Sequence, residues 1–189
     1  MSKYVKISRE NILGVIVVKK IEIDSTVMIK DYRKLVYFNS IGRKKSRKYT
    51  LVGLLTIAFV YLIYSLVKFK GLDLIAGAGL GYISFIGISA ILLERNIVKF
   101  SKEEDTLIGK SQNVIIRDNG VKVSNHIKPD GENYAWNVVL NAYETKNYFY
   151  LYMTNGQIVV ISKSNINDNN LDSLKNIFKE KLEGKFIYI

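Results

Sequence analysis

LVGLLTIAFVYLIYSLV, residues 51–67, and LIAGAGLGYISFIGISAILL, residues 74–93, are two apolar runs that carry no charged side chain. A helix rises about 1.5 Å per residue, so each run is long enough to cross a hydrocarbon core about 30 Å thick. The connection between them, residues 68–73, is short enough only for a tight turn. The sequence therefore predicts a transmembrane helical hairpin over 49–95, with helices at about 50–67 and 74–93.

The basic residues cluster beside these runs. The net charge is +11, yet residues 101–189 hold as many acidic as basic side chains, so the excess lies in the first hundred residues. Cations in flanking segments mark the cytoplasmic side, and Lys68 and Lys70 in the connection are outnumbered. We expect both termini to be cytoplasmic and the basic cluster to contact lipid head groups of an anionic leaflet. Nucleic acid is not expected as a partner. The cluster consists of Arg43, Lys44, Lys45, Arg47 and Lys48.

The remaining segments, 1–48 and 96–189, have the pattern of one β-rich domain interrupted by the hairpin. Alternating and β-branched residues predict strands early in the chain, and the dipeptides Asn119-Gly120 and Asn155-Gly156 predict two β-hairpins later on. We expect the N-terminal strands to complete the later sheet, because an isolated two-stranded ribbon is marginal in water. Predicted strands include 3–7, 14–23 and 97–100, with a turn or helix cap at 24–26, an amphipathic helix at 28–40 and a capped C-terminal helix at 171–182.

Several of these stretches resemble the YcxB-like protein family of bacterial membrane proteins. They are Asp31-Tyr32, the segment from Ile116 to Val123, Tyr134-Ala135-Trp136, the run from Tyr148 to Met153, and the segment from Gln157 to Lys163. The resemblance implies a pleckstrin-homology-like barrel on two transmembrane helices, and it implies no catalytic residues. The family commonly has a proline and a basic pair after the last strand, where this chain has Ser162, Lys163 and Ser164.

Candidate chemistry is sparse in this sequence. Cysteine is absent and His126 is the one histidine, so a thiol nucleophile, a histidine cluster and a Ser-His-Asp triad lack their parts. His126 lies in a polar stretch and is expected in an exposed loop. The acidic run 103–105 is expected to be a solvated turn. We therefore predict no catalytic, cofactor-binding or metal-binding residues and no cofactor.

A stripe of small residues marks the second apolar run. Gly77, Gly81 and Ser84 fall on one helix face, where the lack of bulky side chains lets helices approach closely. Packing within the hairpin is the favoured interpretation, and dimerisation between two copies is the alternative.

The strand around Tyr150 has two large apolar faces. Alternation places Phe149, Leu151 and Met153 on one side and Tyr148, Tyr150 and Tyr152 on the other. The first set is predicted to be the inner core, because it has no hydroxyl groups to satisfy. The tyrosine side is expected to be covered by the C-terminal helix or the N-terminal strands, and it is also the candidate interaction face.

The predicted fold class is membrane α+β: a two-helix transmembrane hairpin plus a cytoplasmic antiparallel β-rich, pleckstrin-homology-like domain, 96–189, with a C-terminal helix. The expected function is a non-enzymatic interaction or regulatory protein of the bacterial cell membrane, with an unknown protein partner or a homo-oligomer. The alternative is a self-immunity or transporter-accessory protein that protects against a membrane-active peptide. An oligomeric pore is disfavoured, because the two apolar runs lack charge.

Overall fold

The structure is a computed structural model, and it describes residues 20–69, 73–103 and 106–189. The chain forms two compact units. The β unit contains residues 20–35 and 106–189, and the helical unit contains residues 36–69 and 73–103. The β unit is therefore discontinuous in sequence, with the helical unit inserted between its first strand and its second.

Two four-stranded sheets form the β unit. The first has the order β1-β2-β3-β4, with all neighbours antiparallel. The second has the order β7-β6-β5-β8, and its edge strand β8 runs parallel to β5. The strands are β1 Ile21–Thr26, β2 Ser111–Arg117, β3 Gly120–Asn125, β4 Glu132–Ala135, β5 Val139–Glu144, β6 Tyr148–Met153, β7 Ile158–Ser162 and β8 Phe186–Tyr188.

One apolar core lies between the two sheets and the C-terminal helix, α4, which spans Asp168–Leu182. Phe149 and Leu151 are fully buried, Met153 is 2% exposed, and all three belong to this core, which confirms the predicted inner face of β6. Phe178 of α4 packs its ring edge-to-face on Phe149, with centroids 5.5 Å apart. Rings in that arrangement gain interaction energy beyond their buried area.

The helical unit consists mainly of α2, Lys45–Phe69, and α3, Leu74–Phe100. Each is long and apolar enough to cross a membrane, and almost none of either apolar stretch is buried. The predicted strand at 97–100 is wrong, because α3 continues to Phe100 without a break. No glycine or proline interrupts residues 88–100, so nothing in that sequence ends the helix earlier.

The first described strand and helix differ from prediction at their ends. The predicted turn or helix cap at 24–26 is wrong: β1 runs on to Thr26, which pairs with Ser111, and α1 begins only at Ile29. The last part of the predicted strand 14–23 is confirmed, because Ile21 pairs with Ile116 and Ile23 with Val114. Residues 14–19 and the predicted strand 3–7 lie outside the described residues. The predicted helix at 28–40 forms as α1, Ile29–Tyr37, followed by a π-helical turn, Phe38–Gly42.

Candidate functional site

A polar groove of about 660 Å³ opens at one corner of the β unit. Four separate segments form it: the β1–α1 junction, the start of β2, the β3–β4 turn and the turn after β7. Hydroxyl and amide side chains are frequent in the lining, which gives the groove many hydrogen-bond donors and acceptors. The lining includes Ser25, Ser111, Asn113, Ser124, Asn125, Ser162, Ser164 and Asn165.

Two buried polar side chains hold the walls of this polar groove in place. Gln112 is 5% exposed, and its Nε2 donates to the Val160 carbonyl at 2.8 Å and to Ser25 Oγ at 3.2 Å. This side chain therefore ties the first sheet to β7 of the second. Asp31 is 6% exposed, and its carboxylate accepts from the Met28 amide at 2.9 Å. That bond caps the start of α1, where a carboxylate also suits the helix dipole.

The charges around the polar groove are mixed in sign. Lys30 and His126 are exposed at its rim, and Asp24 and Asp31 lie on the same lining. Lys110 Nζ lies 2.9 Å from His126 Nε2, so the imidazole contacts an amine and not a carboxylate. Among the residues that the structure describes, no three His, Cys, Asp or Glu side chains are close enough to hold a metal ion. The groove therefore offers neutral hydrogen bonding and no strong preference for one sign of charge.

The tyrosine face of β6 lies next to this polar groove and is largely closed. Tyr148 donates its hydroxyl hydrogen to Asp31 Oδ1 at 2.8 Å, and its ring stacks on Tyr150 with centroids 5.7 Å apart. Burial, and then the bond to Asp31, raises the pKa of Tyr148 to about 12. Tyr150 is only 1% exposed, and burial raises its pKa too. Tyr150 thus offers no surface to a partner in this structure, while Tyr148 and Tyr152 remain half-buried.

A buried ion cluster lies at the last residue of β5, Glu144, which pairs with Phe149 of β6. Glu144 is 2% exposed, and its Oε1 accepts from Lys163 Nζ at 2.6 Å and lies 3.6 Å from Lys175 Nζ. The Lys163 ammonium also lies 4.9 Å from the centroid of the Phe149 ring. Lys163 is the one basic residue at the position where the family commonly has a basic pair. Its contacts tie the turn after β7 to β5, so its role here is structural.

The small-residue stripe does not pack inside the hairpin as predicted. Gly79 faces α2, and a methyl group added there would lie 3.6 Å from Ala58. A methyl group at Gly77 or Gly81 would meet no described atom within 4 Å, so these two glycines face away from α2. Ser84, the third member of the stripe, is exposed. The close approach of the two helices therefore depends on Gly79, which is not a member of the predicted stripe.

The predicted basic cluster lies where α2 begins. Arg43, Lys44, Arg47 and Lys48 are exposed, and Lys45 is the first residue of α2. Arg47 donates to the Ser40 carbonyl at 3.1 Å, which holds the π-helical turn against the start of α2. The cluster belongs to the helical unit, whereas the polar groove and the tyrosine face belong to the β unit.

Residues 117–178 match the model of the YcxB-like protein family. This segment is YcxB-like. It runs from the end of β2 into α4, so it includes β3 to β7, and the match confirms the resemblance drawn from the sequence. The stretch from Tyr148 to Met153 and the Asn119-Gly120 turn both lie within it. No curated protein sequence matches the chain.

The polar groove was not predicted from the sequence. Its lining comes from positions as far apart as Asp24 and Asn165, and serine and asparagine are common in any turn. The signal that could have pointed to it is the polar character of Ser111-Gln112-Asn113 at the start of a strand that is otherwise apolar. Gln112 is buried despite its amide, and a buried amide requires nearby hydrogen-bond partners.

Proposed function

We propose that this chain is an integral membrane protein with a cytoplasmic pleckstrin-homology-like module, acting as a non-enzymatic interaction or regulatory protein. The observation that carries the proposal is the contrast between the two units. The β unit buries its own core between two sheets and α4. The helical unit leaves large apolar side chains exposed, including Phe59 at 57%, Phe85 at 68% and Ile91 at 62%. Exposing such an apolar surface to water is unfavourable, whereas contact with the lipid hydrocarbon core is favourable.

The pleckstrin-homology-like part of the proposal is supported by the arrangement of the β unit. Two antiparallel meanders, β1 to β4 and β5 to β7, share one core, and the C-terminal helix α4 packs on it. The YcxB-like match covers most of these elements. The family resemblance implied a barrel of that type on two transmembrane helices, and the observed elements fit this description.

The non-enzymatic part is supported by the chemistry of the polar groove. Its hydroxyl and amide groups can hydrogen-bond a polar partner, but His126 Nε2 lies 2.9 Å from Lys110 Nζ, and within the described part of the chain no hydrogen bond joins the imidazole to a serine or a carboxylate. Catalysis by a hydroxyl nucleophile needs a positioned base within hydrogen-bond reach. An interaction role requires only complementary hydrogen bonding and shape, which the groove provides.

Topology can be measured with reporter fusions in bacterial cells. Fusions at Ile189 and beside Gly71 should report opposite sides of the membrane, with Ile189 cytoplasmic. Alkaline carbonate washing should leave the full chain in the membrane pellet. A cytoplasmic signal at Gly71, or release of the chain by carbonate, would refute the proposed membrane arrangement.

Interaction through the polar groove can be tested by placing a photo-crosslinking residue at Asn125, on the groove lining, in the full chain. The matched control places it at Lys179, which is exposed on α4 outside the groove. A discrete adduct formed in intact cells from Asn125 and not from Lys179 is the expected result. Equal adducts from both positions, or none from either, would count against the groove as the interaction site.

A further inference from the structure

Exposed cations from two helices surround one end of the hairpin. Tyr37, the last residue of α1, donates to Glu94 of α3 at 2.9 Å, so the segment that leads into α2 lies beside the last turns of α3. At the opposite end, Tyr61 bonds to Asp73 at 2.9 Å. We call five exposed cations at the first end the cationic collar: Lys44, the residue before α2, Arg47 and Lys48 from α2, and Arg95 and Lys99 from α3.

Acidic side chains do not neutralise this cationic collar. The first turn of α2 contains no acidic residue. Lys44 and Lys48 make no ion pair with any residue that the structure describes. Glu94 of α3 accepts a hydrogen bond from Tyr37, and it makes no ion pair with a collar cation among the described residues. The helix dipole adds to the unfavourable electrostatics at the start of α2, because each cation near a helix N-terminus lowers the equilibrium constant for helix formation by about two- to fivefold.

We propose that the cationic collar binds anionic phospholipid head groups at the cytoplasmic face of the membrane. This inference rests on the proposed membrane insertion, and it adds that the inserted hairpin binds anionic phospholipids in preference to neutral ones. A cation beside an anionic leaflet favours association by about fivefold. That gain equals or exceeds the unfavourable dipole effect, and it adds over the several collar residues. The apolar surface of α2 and α3 begins directly next to the collar, which places the cations at head-group depth.

The test uses the full chain reconstituted in vesicles that contain phosphatidylcholine and phosphatidylglycerol. After detergent extraction, the lipids that co-purify with the protein are quantified by mass spectrometry. The collar variant is Lys44→Gln with Lys48→Gln, which spares Arg47 because of its bond to Ser40. The control is Lys146→Gln with Lys179→Gln, which removes two exposed lysines from the β unit.

The wild-type chain and the control should carry phosphatidylglycerol in excess of its share of the vesicle. The collar variant should lose that enrichment by about fivefold for each lysine removed at low salt, and high salt should weaken the enrichment of the wild-type chain. An equal loss in both variants, or none in the collar variant, would overturn the inference while the membrane arrangement stands. Failure of the wild-type chain to enter vesicles would overturn both.

Discussion

Gly120 occupies a position in the β2–β3 hairpin that no other residue can fill without moving a neighbouring strand. Its φ is +151°, in the region that L-residues rarely adopt. A methyl group added there would lie 2.1 Å from the carbonyl oxygen of Tyr134 and 3.0 Å from the Cα of Ala135. Both atoms belong to the backbone of β4, and Gly120 pairs with Ala135 in the ladder. Gly120→Ala must therefore push β4 away from β3.

The magnitude follows from what that displacement disturbs. The backbone strain of an L-residue at positive φ costs roughly 1–2 kcal/mol. Moving β4 also withdraws Tyr134, which is 6% exposed and belongs to the core, and exposing a large apolar side chain costs about 1.5–3 kcal/mol. The expected loss is thus about 2.5–5 kcal/mol of unfolding free energy. Gly156→Ala is the matched control. Its φ is +83° and no described atom lies within 4 Å of the added methyl group, so only about 1–2 kcal/mol of strain is expected.

The assay is urea unfolding of the full chain in detergent, followed by the fluorescence of Trp136. This is the one tryptophan in the sequence, and its indole N–H donates to the Asp118 carbonyl at 2.9 Å, in the same hairpin turn. Its emission therefore reports on the region that the substitution disturbs. Equal midpoints for Gly120→Ala and Gly156→Ala would refute the reasoning, because that result would mean that β4 can move away at no cost.

Three further predictions use the same unfolding assay. Leu151→Ala should lower the free energy of unfolding by about 2–5 kcal/mol, because Leu151 is fully buried in the core. Tyr150→Phe should lower it by less than about 1.5 kcal/mol, because the change removes only a hydroxyl, and a larger loss for Tyr150→Phe than for Leu151→Ala would contradict the assignment of faces. Glu144→Gln should cost roughly 3–5 kcal/mol, since it leaves the Lys163 ammonium without its buried anion, and an unchanged midpoint would show the pair to be dispensable. Because the pKa of Tyr148 is raised from 10.0 to about 12 in the folded chain, its contribution to the free energy of unfolding should be complete below pH 10.0 and should be lost as the pH rises to about 12. Tyr148→Phe should make the free energy of unfolding fall less steeply over that pH range.

Hydropathy and alternation predicted the parts of this fold that depend on local pattern. Two uncharged runs predicted α2 and α3, and alternation on β6 predicted that Phe149 and Leu151 point inward. These predictions are confirmed because successive side chains of a strand alternate between its two faces, and because a long uncharged run of residues favours a single continuous helix. The Asn-Gly pairs also marked two tight turns, since Gly120 and Gly156 both have positive φ.

The parts that the sequence did not reveal depend on distant contacts. Strand β8 is three residues long and forms beside β5 only because the chain returns there after α4. The cover of the tyrosine face comes from Asp31 of α1, 117 residues before Tyr148, and the sequence analysis had considered the C-terminal helix or the N-terminal strands for that place. The polar groove is likewise assembled from four segments, so no local window contains its pattern.

The position of the helical unit within the chain also constrains how the β unit folds. The chain leaves the β unit after β1 and α1 and returns at β2, yet β1 and β2 pair along six residues, from Ile21 with Ile116 to Thr26 with Ser111. The Gly109 amide donates to the Val27 carbonyl at 2.7 Å and closes the base of this insertion. Loop-closure entropy grows only slowly with loop length, so a long insertion adds little cost once its ends are held together. During synthesis, however, β1 cannot pair with β2 until the whole helical unit and β2 have been made. Completion of the first sheet must therefore follow synthesis of both apolar helices, and in a membrane-inserted chain the β unit would close only after its anchor exists.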